Sequence, residues 1–274
     1  MDISPPVTSS GLFRVEHIMG MPIGIDVRDT DVDPSVIDRV FDWFRWVDTT
    51  FSPYRLDSQV SLLNTDELTL TEAHTDVREV LGRCEELRVE TNGYFDIRTD
   101  HLPLPVKRVT GLVTTTGLDP SGLVKGWSVD RAAQLLDEAS AHNYSINAGG
   151  DVFVRGGALP ESHWRIGIRH PLLADKVAAV VTTTNQAIAT SGAYERGRHI
   201  INPHTGEPPS GVLSVTVVGG DLATADAYAT AAFAMGTDGP AWTARLFGYQ
   251  AMTILEDETV LSTRWFPAAA ADQL

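Results

Sequence analysis

Apolar and polar residues alternate along residues 14–29, RVEHIMGMPIGIDVRD, as a pair of strands requires, because successive side chains of a strand point to opposite faces. The period then changes. Residues 33–51, DPSVIDRVFDWFRWVDTTF, repeat their apolar positions at helical spacing, with Pro34 near the start, where a missing amide costs nothing. Residues 51–64, FSPYRLDSQVSLLN, predict a turn and a short helix that Asp57 or Ser58 can cap, and another helix is predicted over residues 75–91. TNGYFDIRT, 91–99, reads as a turn entering a strand and is followed by the proline-broken HLPLPVKRV. Residues 143–157 predict strand, glycine turn and strand, and 163–171, 178–192, 198–203 and 211–220 predict further strands. Residues 224–236 and 239–249 predict helices, and 252–265 a closing hairpin. No repeat or low-complexity linker divides the chain. Strands in antiparallel runs interrupted by helices, without regular βαβ alternation, predict an α+β fold: one domain over 1–274 with antiparallel or mixed sheets flanked by helices, residues 1–12 forming a disordered lead.

One helix carries an unexpected charge. Residues 117–138, GLDPSGLVKGWSVDRAAQLLDE, predict a helix from about Ser121, with Asp119 and Ser121 as candidate caps, so Lys125 is expected in its first turn. The free amides there are partially positive, and a lysine is disfavoured by roughly a few tenths of a kcal/mol unless an anion sits beside it. Either Lys125 points into water or it helps to hold a phosphate.

Composition sharpens that choice. The net charge of −15 excludes a general nucleic-acid binder, so an anionic ligand must be held locally by a few cations, amides or a metal. Only three lysines stand against eighteen arginines, which makes a lysine in a glycine-rich setting less easily surface filler. The single cysteine, Cys84, excludes an internal disulfide or cysteine zinc site and sits in a helical pattern as a core or half-buried thiol. No stretch approaches a membrane span, and MDISPPVTSSGLF lacks a secretory pattern, so a soluble cytoplasmic protein without membrane or nucleic-acid partners is expected.

Other stretches offer chemistry. In GGDLATADAYATAAFAMG, 219–236, a helix capped near Asp221 or Thr224 puts Asp226 in its first turn and Thr230 four residues on, so both oxygens share a face suited to a hard cation such as Mg²⁺. Ordinary helix habits of Asp and Thr explain the pair equally. In AIATSGAYERGRHIINPHTGEPP, 187–209, His199 is placed to act as a base if its strand lines a pocket, or is a structural histidine. INAGGD, 146–151, either presents amides to an anion or simply turns. Tyr54, beside Pro53, either stacks on a planar ring or belongs to a core rim.

In chain order, HIMGMPIGIDV, FSPYRLDSQVSLLN, TNGYFDI, LDPSGLVKGWSVDRA, INAGGDVFVRG, WRIGIRHP, AIATSGAYERGRHIINPHTGEPP and SVTVVGGDLATADAYATAAFAMG resemble the FAD:protein FMN transferase (ApbE) family, whose fold is related to the T-fold. The resemblance implies a Mg²⁺-dependent enzyme that cleaves FAD, attaches FMN to a threonine of an acceptor flavoprotein and releases AMP. Hydrolysis of FAD to FMN and AMP is the alternative, and a non-catalytic FAD-binding protein a further one. It implies that Asp226, Thr230 and the Gly122 carbonyl bind the metal, and that Lys125 contacts the pyrophosphate. It also implies that Met19, Tyr54, Tyr94, Phe95, Asp96, Asp119 and Ile200 line the FAD site and that His199 acts in transfer. Three departures stand out: a short segment between Asp96 and Lys125, Arg98 where a threonine is usual, and Asn202 where His-Ile-Ile-Asp-Pro has its aspartate.

Overall fold

Met21, Ile23, Ile25 and Val27 are buried while the residues between them are not, so β2 (Met21–Val27) presents one apolar face to the helices above it. In the computed structural model, which describes residues 11–99, 117–192 and 200–270, β2 pairs antiparallel with β1 (Leu12–Ile18). β5 (Tyr144–Ala148), β6 (Asp151–Arg155), β9 (Gln186–Gly192), β10 (Val212–Gly219), β11 (Gln250–Leu255) and β12 (Val260–Ser262) complete an eight-stranded sheet of order β1-β2-β5-β6-β9-β10-β11-β12. Every neighbouring pair in it is antiparallel. A smaller sheet has the order β13-β8-β7, from β7 (Trp164–Arg169), β8 (Val177–Thr183) and β13 (Ala268–Ala270). The two-residue strands β3 (Arg98–Thr99) and β4 (Gly117–Leu118) form a third.

Helices α1 (Ser35–Phe51), α4 (Ser121–Glu138) and α5 (Leu222–Ala234) share the main core with one face of the large sheet. On β9, Ala187 and Ala189 belong to that core, whereas Ile188 belongs to a separate cluster with Val218 of β10 and Val181 of β8. The large sheet is therefore covered on both faces, by helices and by the small sheet, which explains why β10 reads as a nearly unbroken apolar run. A further core joins α1, α4 and α5 to α2 (Gln59–Asn64) and α3 (Thr75–Glu90), and includes Phe95 and Cys84. Burial pushes the Cys84 thiol up to about 12, so it is an unreactive core thiol.

The α+β expectation holds, and most predicted elements are present. Several details are corrected. Residues 200–203 form no strand; within the predicted 198–203 strand the described backbone makes a single bridge, Asn202 with Glu207. Residues 178–192 are not one strand but β8 and β9, which enter different sheets. The predicted helix over 239–249 shrinks to α6 (Gly239–Thr243). Leu12 belongs to β1 rather than to a lead, and residues 1–10 lie outside the described residues. Among those described, no helix is long and apolar enough to cross a membrane.

α4 and α5 meet at Gly126. A Cβ there would lie 2.5 Å from the Leu222 carbonyl oxygen and 2.7 Å from the Ala223 Cα. Both are backbone atoms, so the helices would have to separate. Gly126→Ala should therefore lose about 1–3 kcal/mol or more of stability despite its better helix propensity, read as a lower urea midpoint. An unchanged midpoint would mean that the helices slide apart freely.

Candidate active site

Asp226 and Lys125 face each other because of how their helices begin. α4 starts at Ser121, whose amide donates to Asp119 at 3.0 Å, and α5 starts at Leu222, with Asp221 accepting from the Thr224 amide at 2.8 Å. Asp221 thus acts as a predicted cap, whereas the cap position of α4 is Pro120, without a side-chain cap bond, and the expected caps Asp119 and Ser121 lie on either side of it. Lys125 and Asp226 are then each the fifth residue of their helix, at the start of the second turn rather than in the first as expected. The macrodipole penalty on Lys125 is correspondingly small, because the effect fades after one turn.

What holds Lys125 is charge. Its Nζ lies 2.5 Å from Asp151 Oδ2 and 3.5 Å from Asp226 Oδ2. Asp151 and Asp226 are 2% and 4% exposed, so this cluster is shielded from water. The other Asp151 oxygen accepts from the Thr190 amide of β9 at 2.9 Å, just beyond the last β6–β9 pair. Thr230, four residues after Asp226, places its Oγ1 3.3 Å from Ser191 Oγ of β9. Asp151 and Ser191 were missed from sequence. The visible signal for Asp151 was a carboxylate directly after a double glycine.

That glycine pair turns the chain rather than cradling an anion. Gly149 and Gly150 have φ of +61° and +105°, the Gly149 amide donates to the Pro22 carbonyl, and the Gly150 amide donates to Asn147 Oδ1. Both donors are occupied by the fold.

A second carboxylate missed from sequence organises the helix pair. Asp130 of α4 accepts from the Leu222 and Ala223 amides, each at 2.8 Å, and so satisfies the first two orphan donors of α5. Burial pushes its pKa up to about 7, against the pull of those two amides, and the nearby Asp221 charge adds to the rise.

The predicted FAD residues fall into two sets. Phe95 is buried and lies under Gly122, whose added Cβ would meet the Phe95 ring at 3.3 Å, so Phe95 backs the α4 start instead of offering a stacking face. The Asp119 amide donates to the Ile97 carbonyl at 2.7 Å, which fixes the neighbouring Asp96. Tyr94 packs edge-on against His204, with ring centroids 4.5 Å apart, and His204 Nε2 lies 3.0 Å from the Asn92 carbonyl. The loop after Ile200, itself packed on the main core, is thereby docked beside the Phe95 segment. Tyr54 is 72% exposed, and Met19 packs against both helical cores. His199 lies outside the described residues.

Asp96 differs from the simple ligand expectation. Burial opposes its ionisation, yet the Arg98 guanidinium, with Nε 2.8 Å from Oδ1, and the Arg98 amide hold its carboxyl below the usual range. It also borders a cavity of about 380 Å³ with Leu63, Leu81, Cys84 and Arg98. That cavity shares Asp96 alone with the predicted FAD lining and none of the Lys125 cluster.

The donor set around Asp226 fits a hard divalent cation. It consists of carboxylate and hydroxyl oxygens, largely buried, and among the described residues no group of three His, Cys, Asp or Glu side chains gathers as a metal site. Few protein oxygens, with positions left for phosphate and water, is the pattern of Mg²⁺.

A family model described as the ApbE family matches residues 19–103 and 99–253. The two pieces meet where the segment after Asp96 is short. The chain is 31% identical to an FAD:protein FMN transferase of Treponema pallidum over 67% of this chain and 54% of the relative. Identity is 27% to that of Haemophilus influenzae over 70% of each chain, and 33% to that of Vibrio cholerae over 51% of this chain and 45% of the relative. The chain therefore spans about half the length of two of these relatives in sequence. In structure it is similar to the flavin transferase ApbE of Vibrio cholerae, with a TM-score of 0.78, 25% identity, and 94% and 98% of the two chains covered. The fold also matches that of the ApbE protein of Thermotoga maritima, with a TM-score of 0.80 at 23% identity over 94% of this chain and 99% of the other.

The Asp130 geometry makes a pH prediction. A carboxyl that titrates near pH 7 when folded and near 4 when unfolded keeps its proton longer in the native state, so its stability contribution is complete below about pH 4 and is lost as pH rises to about 7. Asp130→Asn cannot titrate. The stability advantage of the parent over this variant should shrink between pH 4.5 and 7.5 in denaturant titrations; an advantage that grows with pH would reverse the assignment.

Proposed function

The chain belongs to the ApbE family, and we propose that it moves the FMN half of FAD onto a threonine hydroxyl of an acceptor flavoprotein, releasing AMP. The observation that carries this reading is the Lys125, Asp151, Asp226 and Thr230 cluster, a half-buried ammonium beside hard oxygen donors at the crossing of two helices. The names of the relatives support the same activity.

Asp226, Thr230 and the Gly122 carbonyl would hold Mg²⁺, which when bound draws charge from the pyrophosphate and makes AMP a better leaving group. Lys125 would reach the same anion through its ammonium, which lies at the partly exposed edge of the cluster with 20% of its side chain accessible. Met19, Tyr54, Tyr94, Asp96, Asp119 and Ile200 would border the flavin and adenosine, with Phe95 behind them. His199 would accept the proton of the threonine hydroxyl as its oxygen bonds to the FMN-side phosphorus. The bond from that phosphorus to the bridging oxygen breaks, and AMP leaves with the electron pair.

Incubating the protein with FAD, Mg²⁺ and a threonine-bearing acceptor should give an acceptor heavier by one phosphoester-linked FMN in mass spectrometry, with AMP in equal amount. Free FMN and AMP without an adduct would show hydrolysis instead. Asp226→Ala should abolish both products while keeping the fold, since alanine suits the helix and Lys125 keeps its Asp151 partner. His199→Ala should slow transfer by roughly 10²- to 10⁴-fold while FAD still binds. Adduct formation by Asp226→Ala at the parent rate would remove the metal assignment.

A further inference from the structure

β1 is an edge of the large sheet. Among the described residues it pairs only with β2, so one side of its backbone has no strand beside it. The hairpin that joins the two strands decides which groups lie on that side. Met19 and Gly20, both at positive φ, form a two-residue turn that closes on the Ile18–Met21 pair. Leu12, Arg14, Glu16 and Ile18 therefore turn their amides and carbonyls to β2, and Phe13, Val15 and His17 turn theirs outward. Natural edges are normally blunted by brevity, proline, lysine or a bulge. β12, at the other end of the sheet, is three residues long, but β1 runs for seven, LFRVEHI, without proline, lysine or a shift in register. On the face turned away from the helices, Phe13 and Val15 are 65% and 52% exposed.

We propose that β1 docks a second copy of this chain, the two β1 strands pairing antiparallel about Val15. The strand is self-complementary in that register. With Val15 opposite its own copy, the outward backbone groups of Phe13, Val15 and His17 meet those of His17, Val15 and Phe13 of the second copy, and the ladder continues across a two-fold axis. The exposed face then sets Phe13 against His17, and the helix-side face sets Arg14 against Glu16. Charge fixes the register. Sliding one strand by two residues either way would put Arg14 on Arg14 or Glu16 on Glu16, and like charges directly opposite are unfavourable. Both side chains are held in place before docking, since they pair with each other while Arg14 also pairs with Asp38 and Glu16 with Arg45 of α1. The second copy therefore meets a preformed row of alternating charge.

Sedimentation velocity of the full chain over a dilution series should show a concentration-dependent dimer. Val15→Lys should raise its dissociation constant by roughly 10-fold or more, because two like charges then face each other on the axis, and Val15→Glu should do the same. Mixing these two variants in equal amounts should restore association to the parent level, since only the mixed dimer sets opposite charges across the axis. Val15 is half exposed, so neither change disturbs the core. Val15→Pro should also weaken the dimer, because it deletes an outward amide and none that β2 uses. A parent that stays monomeric would overturn the proposal, as would a dimer that any of the three substitutions leaves at parent strength, or a mixture that stays apart. Two outcomes would overturn it by naming another occupant. A chain that dimerises only after residues 1–10 are deleted gives the edge to that segment, and a monomeric parent whose transfer to an acceptor protein falls with Val15→Lys gives it to the acceptor.

Discussion

The close approach of α4 and α5 is the constraint on which the site depends. Gly126 allows it by having no side chain where the Leu222 carbonyl passes, and Asp130 fixes it by accepting the first two amides of α5. One helix thus caps the other across a long sequence separation. Because each helix begins at a defined residue, Lys125 and Asp226 arrive at equivalent positions and meet at the crossing. A shift of one residue in either start would rotate one of these side chains by about 100° away from the other.

Burying charge at that crossing is costly unless partners are present, and an uncompensated buried charge is more damaging than none. The sheet supplies the compensation. Asp151 reaches Lys125 from β6, and Ser191 reaches Thr230 from β9, so the site is held by three independent elements. A lysine suits this arrangement better than an arginine would. Its ammonium is a compact point charge that can be divided between two carboxylates, or between a carboxylate and a phosphate, whereas a guanidinium fork commits to one planar partner. Arg98 shows the contrast, gripping Asp96 through several nitrogens at once.

Periodicity made most of the fold legible, because β1, β2, α1 and α3 each bury one face and their sequences show it, and a glycine turn marks the β5–β6 hairpin. Legibility failed where long-range contacts decide. The apolar letters of Ile200 and Ile201 suggest a strand, but that segment packs as a loop on the core and docks through His204 on Tyr94. Helix starts were misjudged in their consequence: they were visible to within a residue, yet Lys125 and Asp226 each lie five residues past the cap position, Pro120 or Asp221, which leaves the first turn. Asp226, Thr230 and Lys125 were legible as a trio only through a family pattern. The roles of Asp130 and Asp151 were not legible, since each acts on a residue far along the chain, 92 and 26 positions away respectively for Leu222 and Lys125.

The overall charge gives the site its character. At −15 the chain repels a dianionic pyrophosphate at long range, but at physiological ionic strength that field is screened over about 8 Å. What remains is decided within a few ångströms, where a half-buried ammonium is screened less than one in open water. The same bias works in favour of a divalent cation, which the acidic surface would attract and which, on the proposed function, the buried Asp226 carboxylate and the half-buried Thr230 hydroxyl would receive. A metal bound first would reverse the local sign and turn a cluster that is anionic in its carboxylates into a receptor for phosphate. On the proposed function, a cation held at Asp226 would prepare the place for the nucleotide, and Lys125 of α4 would add its charge there.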